Sequence, residues 1–165
     1  MNNNRAIYLG TFDPLTKGHC DIILRASKIF TQLIIAIGDN TNKNFLFSKE
    51  ERLDMIKNYT KDTSGISVKI FTGLAVDFAK TEKINIFIKG LRTEADYKYE
   101  MQMAIINQNI MKNLETIFIP TKQNYNHISS TLVKEIALFG GDTSSMVPSY
   151  VNKLLKNKFK QNITV

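Results

Sequence analysis

The sequence predicts an α/β fold, a single Rossmann-like open sheet of about five parallel strands with helices on both faces. Three observations carry this. Short apolar, β-branched runs alternate with longer stretches of helical period. Most of the short runs are almost continuously hydrophobic, as strands buried on both faces are. No internal repeat, low-complexity tract or long Pro/Gly/Ser linker divides the 165 residues, so the chain reads as one domain over 1–165.

The strands are expected at Ala6–Leu9, Leu33–Ile37, Val68–Phe71, Ile84–Ile88 and Thr116–Ile119. Helices fill the gaps. Lys17–Phe30 places Ile22, Ile23, Ala26, Ile29 and Phe30 at helical spacing. Ser48 followed by Glu51 is a capping-box pattern that opens a helix toward Tyr59. Ala75–Thr81 is short and Ala95–Lys112 long, while Ser130–Phe139 is stopped by Gly140 and Gly141. Pro148 begins a last helix to about Lys158, ahead of a short basic tail. Ligands on such sheets bind beyond the carboxyl ends of the strands, at a topological switch point, so the segments after each strand are where chemistry is expected.

Composition narrows the class. A hydrophobic fraction of 43% and a charged fraction of 22% are those of a globular chain. No apolar run approaches the roughly 20 residues of a membrane-spanning helix, so no membrane association is expected. The N-terminal residues show no secretory pattern, and the single cysteine, Cys20, fits a reducing cytoplasm. The net charge of +7 would suit nucleic acid. However, only Arg5, Arg25, Arg52 and Arg92 among the 22 cations are arginine, and the chain is also rich in asparagine and isoleucine. A general drift in residue usage, together with an anionic small substrate, accounts for the charge, and no nucleic-acid partner is expected.

The densest chemistry follows the first strand, in Gly10-Thr-Phe-Asp-Pro-Leu-Thr-Lys-Gly-His19. Gly10 allows close backbone approach, Asp13-Pro14 turns the chain, and Thr16-x-Gly18-His19 falls at the start of a helix. Free N–H groups and the positive dipole end make that an anion site. A histidine in that first turn can donate a hydrogen bond to phosphate oxygens as charge develops. After the fourth strand, Lys89-Gly90-Leu91-Arg92 offers a second phosphate contact, with Gly90 permitting close approach and Arg92 a planar fork. Ser129, Ser130 and Thr131 read as a helix cap, which is itself a phosphate site. The set Met101, Met103, Ile105, Ile106 and Ile110 reads as core or subunit interface, and Cys20 as a small helix residue. No His, Cys or carboxylate set has metal-site spacing, so no protein-held metal is expected.

Gly10–His19 is similar to the T/HxGH signature of the nucleotidyltransferase superfamily, and Tyr8-Leu-Gly-Thr-Phe-Asp-Pro14 resembles its bacterial phosphopantetheine adenylyltransferase family. The likeness runs from Arg5 to about Lys156. It is carried by Phe47-Ser-Lys-Glu-Glu-Arg52, Gly73-Leu-Ala-Val-Asp-Phe78, Lys89-Gly-Leu-Arg92, Ala95-Asp-Tyr-Lys-Tyr-Glu-Met-Gln102 and Ile128-Ser-Ser-Thr-Leu-Val-Lys-Glu135. The resemblance implies transfer of AMP from ATP to 4'-phosphopantetheine, giving dephospho-CoA and pyrophosphate, in a homo-hexamer with CoA as a feedback ligand. By the same resemblance Thr11 and His19 sit at the α-phosphate, Lys43 holds the acceptor phosphate, and Arg92 completes the catalytic set. Ala75 and Lys89 would lie on the pantetheine side. Phe12, Gly90, Leu91, Arg92, Glu100, Tyr125, Asn126, His127, Ile128, Ser129, Ser130 and Thr131 would attend the nucleotide. Mg²⁺ is expected to arrive with ATP.

Two positions depart from the family pattern. Lys89 stands where arginine is common, keeping the charge without the bidentate fork, and Leu9 replaces a frequent proline, which should loosen the start of the loop. Two rival readings stay open on the residues. One is a nucleotidyltransferase with another phosphate acceptor, and the other is a non-catalytic nucleotide or nucleic-acid binder, which would have no need of His19.

Overall fold

The computed structural model describes residues 4–39 and 44–160. Its strands are β1 (Arg5–Gly10), β2 (Gln32–Gly38), β3 (Ile66–Phe71), β4 (Ile86–Leu91) and β5 (Glu115–Pro120). All pairings are parallel, in the order β3-β2-β1-β4-β5. The helices are α1 (Lys17–Ile29), α2 (Lys49–Thr60), α3 (Ala75–Glu82), α4 (Glu94–Ile110), α5 (Ser130–Leu138) and α6 (Ser149–Lys160), with one 3-10 turn at Gln123–Tyr125. The chain steps outward from β1 to β3 and then returns to lay β4 on the other side of β1. The reversal between β1 and β4 is the switch point, and the Gly10–His19 loop leaves the sheet there.

Alternating side chains of the central strands feed two cores. Tyr8, Leu33, Ile35 and Ile37 pack with residues of α1, α2, α5 and α6, including Ile22, Ile23, Met55, Val133 and Leu155. Ile7, Leu9, Ile34 and Ala36 pack on the opposite face with Val76 and Ala79 of α3. Because both faces are covered, β1 and β2 read as unbroken apolar runs. The edge strands differ. β3 alternates between exposed and half-buried positions, and β5 does so for most of its length.

The expected elements are all present, with shifted ends. The fourth strand starts at Ile86 and runs to Leu91, so Lys89, Gly90 and Leu91 are paired strand residues, and only Arg92 follows the strand. Asn85 instead ties to the start of β5 through Glu115 N–H and the Asn113 carbonyl. β1 stays in register with β2 through Leu9 and Gly10, so the start of the loop is held in the ladder. The last helix begins after Pro148, whose carbonyl accepts from Asn152 N–H, and continues to Lys160.

α4 is unusual. None of its 17 residues is buried, and Ile105, Ile106 and Ile110 are 54%, 49% and 46% exposed. The apolar set on this helix is therefore no part of the core of the single chain. Among the described residues no helix is long and apolar enough to cross a membrane.

Candidate active site

A cleft of about 910 Å³ lies over the carboxyl ends of the strands. Of the residues singled out in the sequence, Thr11, His19, Ala75, Lys89, Gly90, Arg92, Glu100, Ile128, Ser129, Ser130 and Thr131 line it. Phe12, Leu91, Tyr125, Asn126 and His127 are outside its lining, and Lys43 lies outside the described residues. The N-terminal ends of α1 and α5 both open onto the cleft, so two positive dipole ends face one space, although Lys17 and His19 N–H already donate to the Met146 carbonyl and the Thr16 hydroxyl.

The first turn of α1 fixes the chemistry of His19. Thr16 is the N-cap, and its hydroxyl accepts from His19 N–H at 3.3 Å. In return the Thr16 N–H donates to His19 Nδ1 at 3.1 Å, a capping box closed by imidazole instead of the usual carboxylate. Because Nδ1 accepts, the neutral ring carries its proton on Nε2, which leaves Nε2–H as a donor at the cleft. Burial and then the nearby Arg92 guanidinium lower the pKa of His19 from 6.5 to about 4. A proton added at Nδ1 would also remove the acceptor that Thr16 uses. The ring is therefore a neutral hydrogen-bond donor across the physiological range. We expect its C2–H resonance to stay unshifted from pH 8 to about 5 and to titrate near pH 4. The folded pKa lies below the unfolded one, so the ring's contribution to stability is whole above pH 6.5 and is lost as pH falls through about 4. An NMR midpoint near 6.5 would contradict this assignment.

Phe12 supports the loop from behind. It is 1% exposed, adopts φ 51°, and sets its ring edge-on to Tyr8 at 5.5 Å and His19 at 5.0 Å. A Cβ on Gly10 would come within 2.7 Å of this ring, so Gly10 makes room for Phe12. Gly90 does the same for Ile22 of α1, where a Cβ would stand 3.2 Å away. Both glycines serve close packing within the protein.

The cations at the carboxyl end of β4 are already engaged. Arg92 Nε and Nη2 grip the two oxygens of Asp96 at 2.9 and 3.1 Å, and Nη1 donates to the Ile128 carbonyl at 3.1 Å. One N–H on each Nη nitrogen is left over, so any phosphate contact must use those or displace Asp96. Lys89 Nζ lies 3.1 Å from Glu100 Oε2, so residues expected on the two substrate sides form one ion pair. Ser129 caps α5 by accepting from Leu132 N–H, whereas the Ser130 hydroxyl donates to the Pro14 carbonyl. Capping thus explains one of these two hydroxyls, and the other ties α5 to the loop. Cys20 is buried, and desolvation pushes its thiol up to about 12, which fits a packing residue.

Three buried or half-buried groups that organise the site escaped the sequence reading. Asp13, assigned only to the turn, accepts from Phe47 N–H at 2.9 Å, Leu46 N–H at 3.1 Å and Lys134 Nζ at 2.8 Å. Arg52 reaches from α2 to the Thr11 carbonyl, and Asp96 holds Arg92. Asp96 could have been found, since it stands four residues after Arg92 at a helix start. The partners of Asp13 and Arg52 lie 33 to 121 and 13 to 41 residues away, and nothing local announces them. Among the described residues no group of three or more His, Cys, Asp or Glu could hold a metal ion.

The family model described as cytidylyltransferase-like matches residues 7–136. A phosphopantetheine adenylyltransferase of Clostridium botulinum (strain Langeland) is 46% identical over 153 residues, which is 93% of each chain. One from Thermodesulfovibrio yellowstonii is 45% identical over 156 residues, 94% of this chain and 97% of that one. A solved structure from Vibrio parahaemolyticus, assigned as a nicotinate-nucleotide adenylyltransferase, superposes with a TM-score of 0.71 over 97% of this chain and 96% of the other. At 19% identity that likeness speaks to the fold alone. With near full-length matches at this identity, and a strand order that places the Thr-x-Gly-His turn at the switch point, the chain belongs to the cytidylyltransferase-like family and, within it, to the phosphopantetheine adenylyltransferases.

Proposed function

We propose that this protein transfers the adenylyl group of ATP to 4'-phosphopantetheine, releasing pyrophosphate and forming dephospho-CoA. Family membership carries the reaction, and the neutral Nε2–H of His19 at the α1 N-terminus supports its mechanism. An oxygen of the acceptor phosphate attacks the α-phosphorus in line, and the bond to the β-phosphate oxygen breaks as pyrophosphate leaves. Catalysis is positioning and charge neutralisation, with no covalent enzyme intermediate. His19 Nε2–H and the Thr11 hydroxyl donate to the α-phosphate oxygens as charge builds, and the α1 and α5 N-termini neutralise the rest. Arg92 and Lys43 attend the phosphates. Gly90, Glu100, Ile128 and the Ser129–Thr131 turn line the nucleotide side, and Ala75 and Lys89 the pantetheine side. Mg²⁺ carried by ATP would lower the charge on its phosphates.

The test is pyrophosphate release from ATP with and without phosphopantetheine. Release that depends on the acceptor is expected, and stabilisation by CTP with glycerol phosphate, but not by phosphopantetheine or CoA, would refute the substrate assignment. Lys89→Arg restores the fork and is expected to lower KM for phosphopantetheine several-fold with kcat little changed. A raised KM would count against placing Lys89 on the acceptor.

Family resemblance supports a homo-hexamer and the single free cysteine a reducing cytoplasm, and the exposed Ile105, Ile106 and Ile110 of α4 are the residues that neighbouring copies would cover. Light scattering should give a mass about six times 18.8 kDa. A monomer at micromolar concentration would exclude the assembly.

A further inference from the structure

A fully buried guanidinium lies behind the cleft. Arg52 is 1% exposed and rises from the second turn of α2, which the Ser48–Glu51 capping box holds in place. Its Nη1 donates to the Thr11 carbonyl at 3.0 Å and the Gly38 carbonyl at 3.2 Å, and Nη2 meets Asp39 Oδ1 at 2.9 Å. The Phe45 ring covers the guanidinium at 4.1 Å. One fork therefore joins the segment after β1 to the end of β2.

Two of these partners bear on chemistry. Thr11 lines the cleft, and where its side chain stands depends on a backbone whose carbonyl Arg52 holds. Asp39 also lines the cleft, with 19% of its side chain exposed. An unpaired carboxylate there would repel a triphosphate and a phosphate acceptor alike. Lys49 lies 3.8 Å from Asp39 but is half exposed, so Arg52 is the closer and better shielded partner.

We infer that Arg52 is a positioning residue for adenylyl transfer, which holds Thr11 in place for the nucleotide and masks the charge of Asp39 beside the anionic substrates. This rests on the reading in the preceding subsection. Each role has its own signature. Misplacing Thr11 weakens an interaction made in the transition state and lowers kcat. Unmasking Asp39 weakens the binding of anions and raises KM.

Arg52→Met should lower kcat about ten-fold, since small misplacements near reacting atoms cost up to 10²-fold. It should also raise KM for at least one of the two anionic substrates about five-fold, and less at high salt, where the carboxylate is screened. Adding Asp39→Asn to Arg52→Met should recover KM and leave kcat low, a split that loss of folding alone would not produce. Arg52→Lys keeps the charge but loses the fork, so it should lower kcat while holding KM near wild type, and it carries the test if Arg52→Met does not fold. Assays are run on the full chain, with circular dichroism confirming the folded fraction. No acceptor-dependent pyrophosphate release by the wild type would overturn the adenylyltransferase reading itself. With an active wild type, folded variants whose kcat and KM stay within two-fold would overturn the role of Arg52. So would a KM defect in Arg52→Met that Asp39→Asn does not relieve.

Discussion

Replacing His19 with alanine is expected to yield a folded protein that binds ATP and turns over two to three orders of magnitude more slowly. The size follows from the role. One preorganised donor aimed at developing charge is worth about 10²–10³ in kcat. The proton on Nε2 is fixed by the Thr16 N–H at Nδ1, and the lowered pKa keeps the ring neutral, so no part of the effect depends on a titrating group near pH 7. The structural cost is smaller. His19 occupies the N3 position of α1, and removing its ring opens one half of a capping box, worth about 1 kcal/mol. Phe12 also loses an edge-on neighbour. Thermal unfolding and ATP titration give the folded, bound fraction, and single-turnover assays give the chemical step. A variant within three-fold of wild type would refute the assignment.

Asp13→Ala is expected to cost about 3 kcal/mol of stability, the largest single loss predicted outside the apolar core. The Asp13 side chain is 4% exposed, and its two oxygens satisfy two backbone N–H groups and the Lys134 ammonium. Removing one partner of such a buried pair leaves a charge and two amide donors without an acceptor, an effect of about 3–5 kcal/mol when burial is complete. Lys134 is about one-third exposed and can turn to water, which places the estimate at the lower end. Asp13→Asn should recover little, since its amide nitrogen would face donors. Lys134→Met in the Asp13→Ala background should restore part of the loss. Urea unfolding with an unchanged m-value measures all three. A shift below about 0.5 kcal/mol for Asp13→Ala would mean that the network carries no weight.

What could be read from the sequence divides along physical lines. β1 and β2 were legible because burial on both faces leaves an unbroken apolar run, and α2 because Ser48 and Glu51 form its cap within four residues. The Thr-x-Gly-His turn was legible for the same reason, its geometry being local to one helix start. The end of β4 was less clear, since Lys89 and Gly90 interrupt the apolar pattern while the backbone ladder to β5 continues past them. Of the three groups around the cleft that were missed, Asp96 meets Arg92 locally, whereas Asp13 and Arg52 make contacts set by tertiary structure. Arg52 offers no local sign that its partners are the Thr11 carbonyl and Asp39, and Lys134 none that it meets Asp13. The outward apolar face of α4 was anticipated as either core or interface, and only the folded chain decides against core.

Three of the four arginines, Arg25, Arg52 and Arg92, each donate to a backbone carbonyl at the carboxyl edge of the sheet, namely Pro120, Thr11 with Gly38, and Ile128. Each also grips a carboxylate, Asp21, Asp39 or Asp96. Lysine, which serves almost everywhere else in this chain, is a point charge and cannot span a carbonyl and a carboxylate with one rigid plane. Apart from Lys89 and Lys134, which have places of their own in or behind the site, and Lys43, proposed to attend the phosphates, the protein thus uses two cationic vocabularies, a replaceable one on its surface and a geometric one at its working edge. Wholesale recoding of exposed lysines to glutamine should change solubility and isoelectric point while the strand ends keep their spacing. A single arginine-to-lysine exchange at that edge should do the reverse.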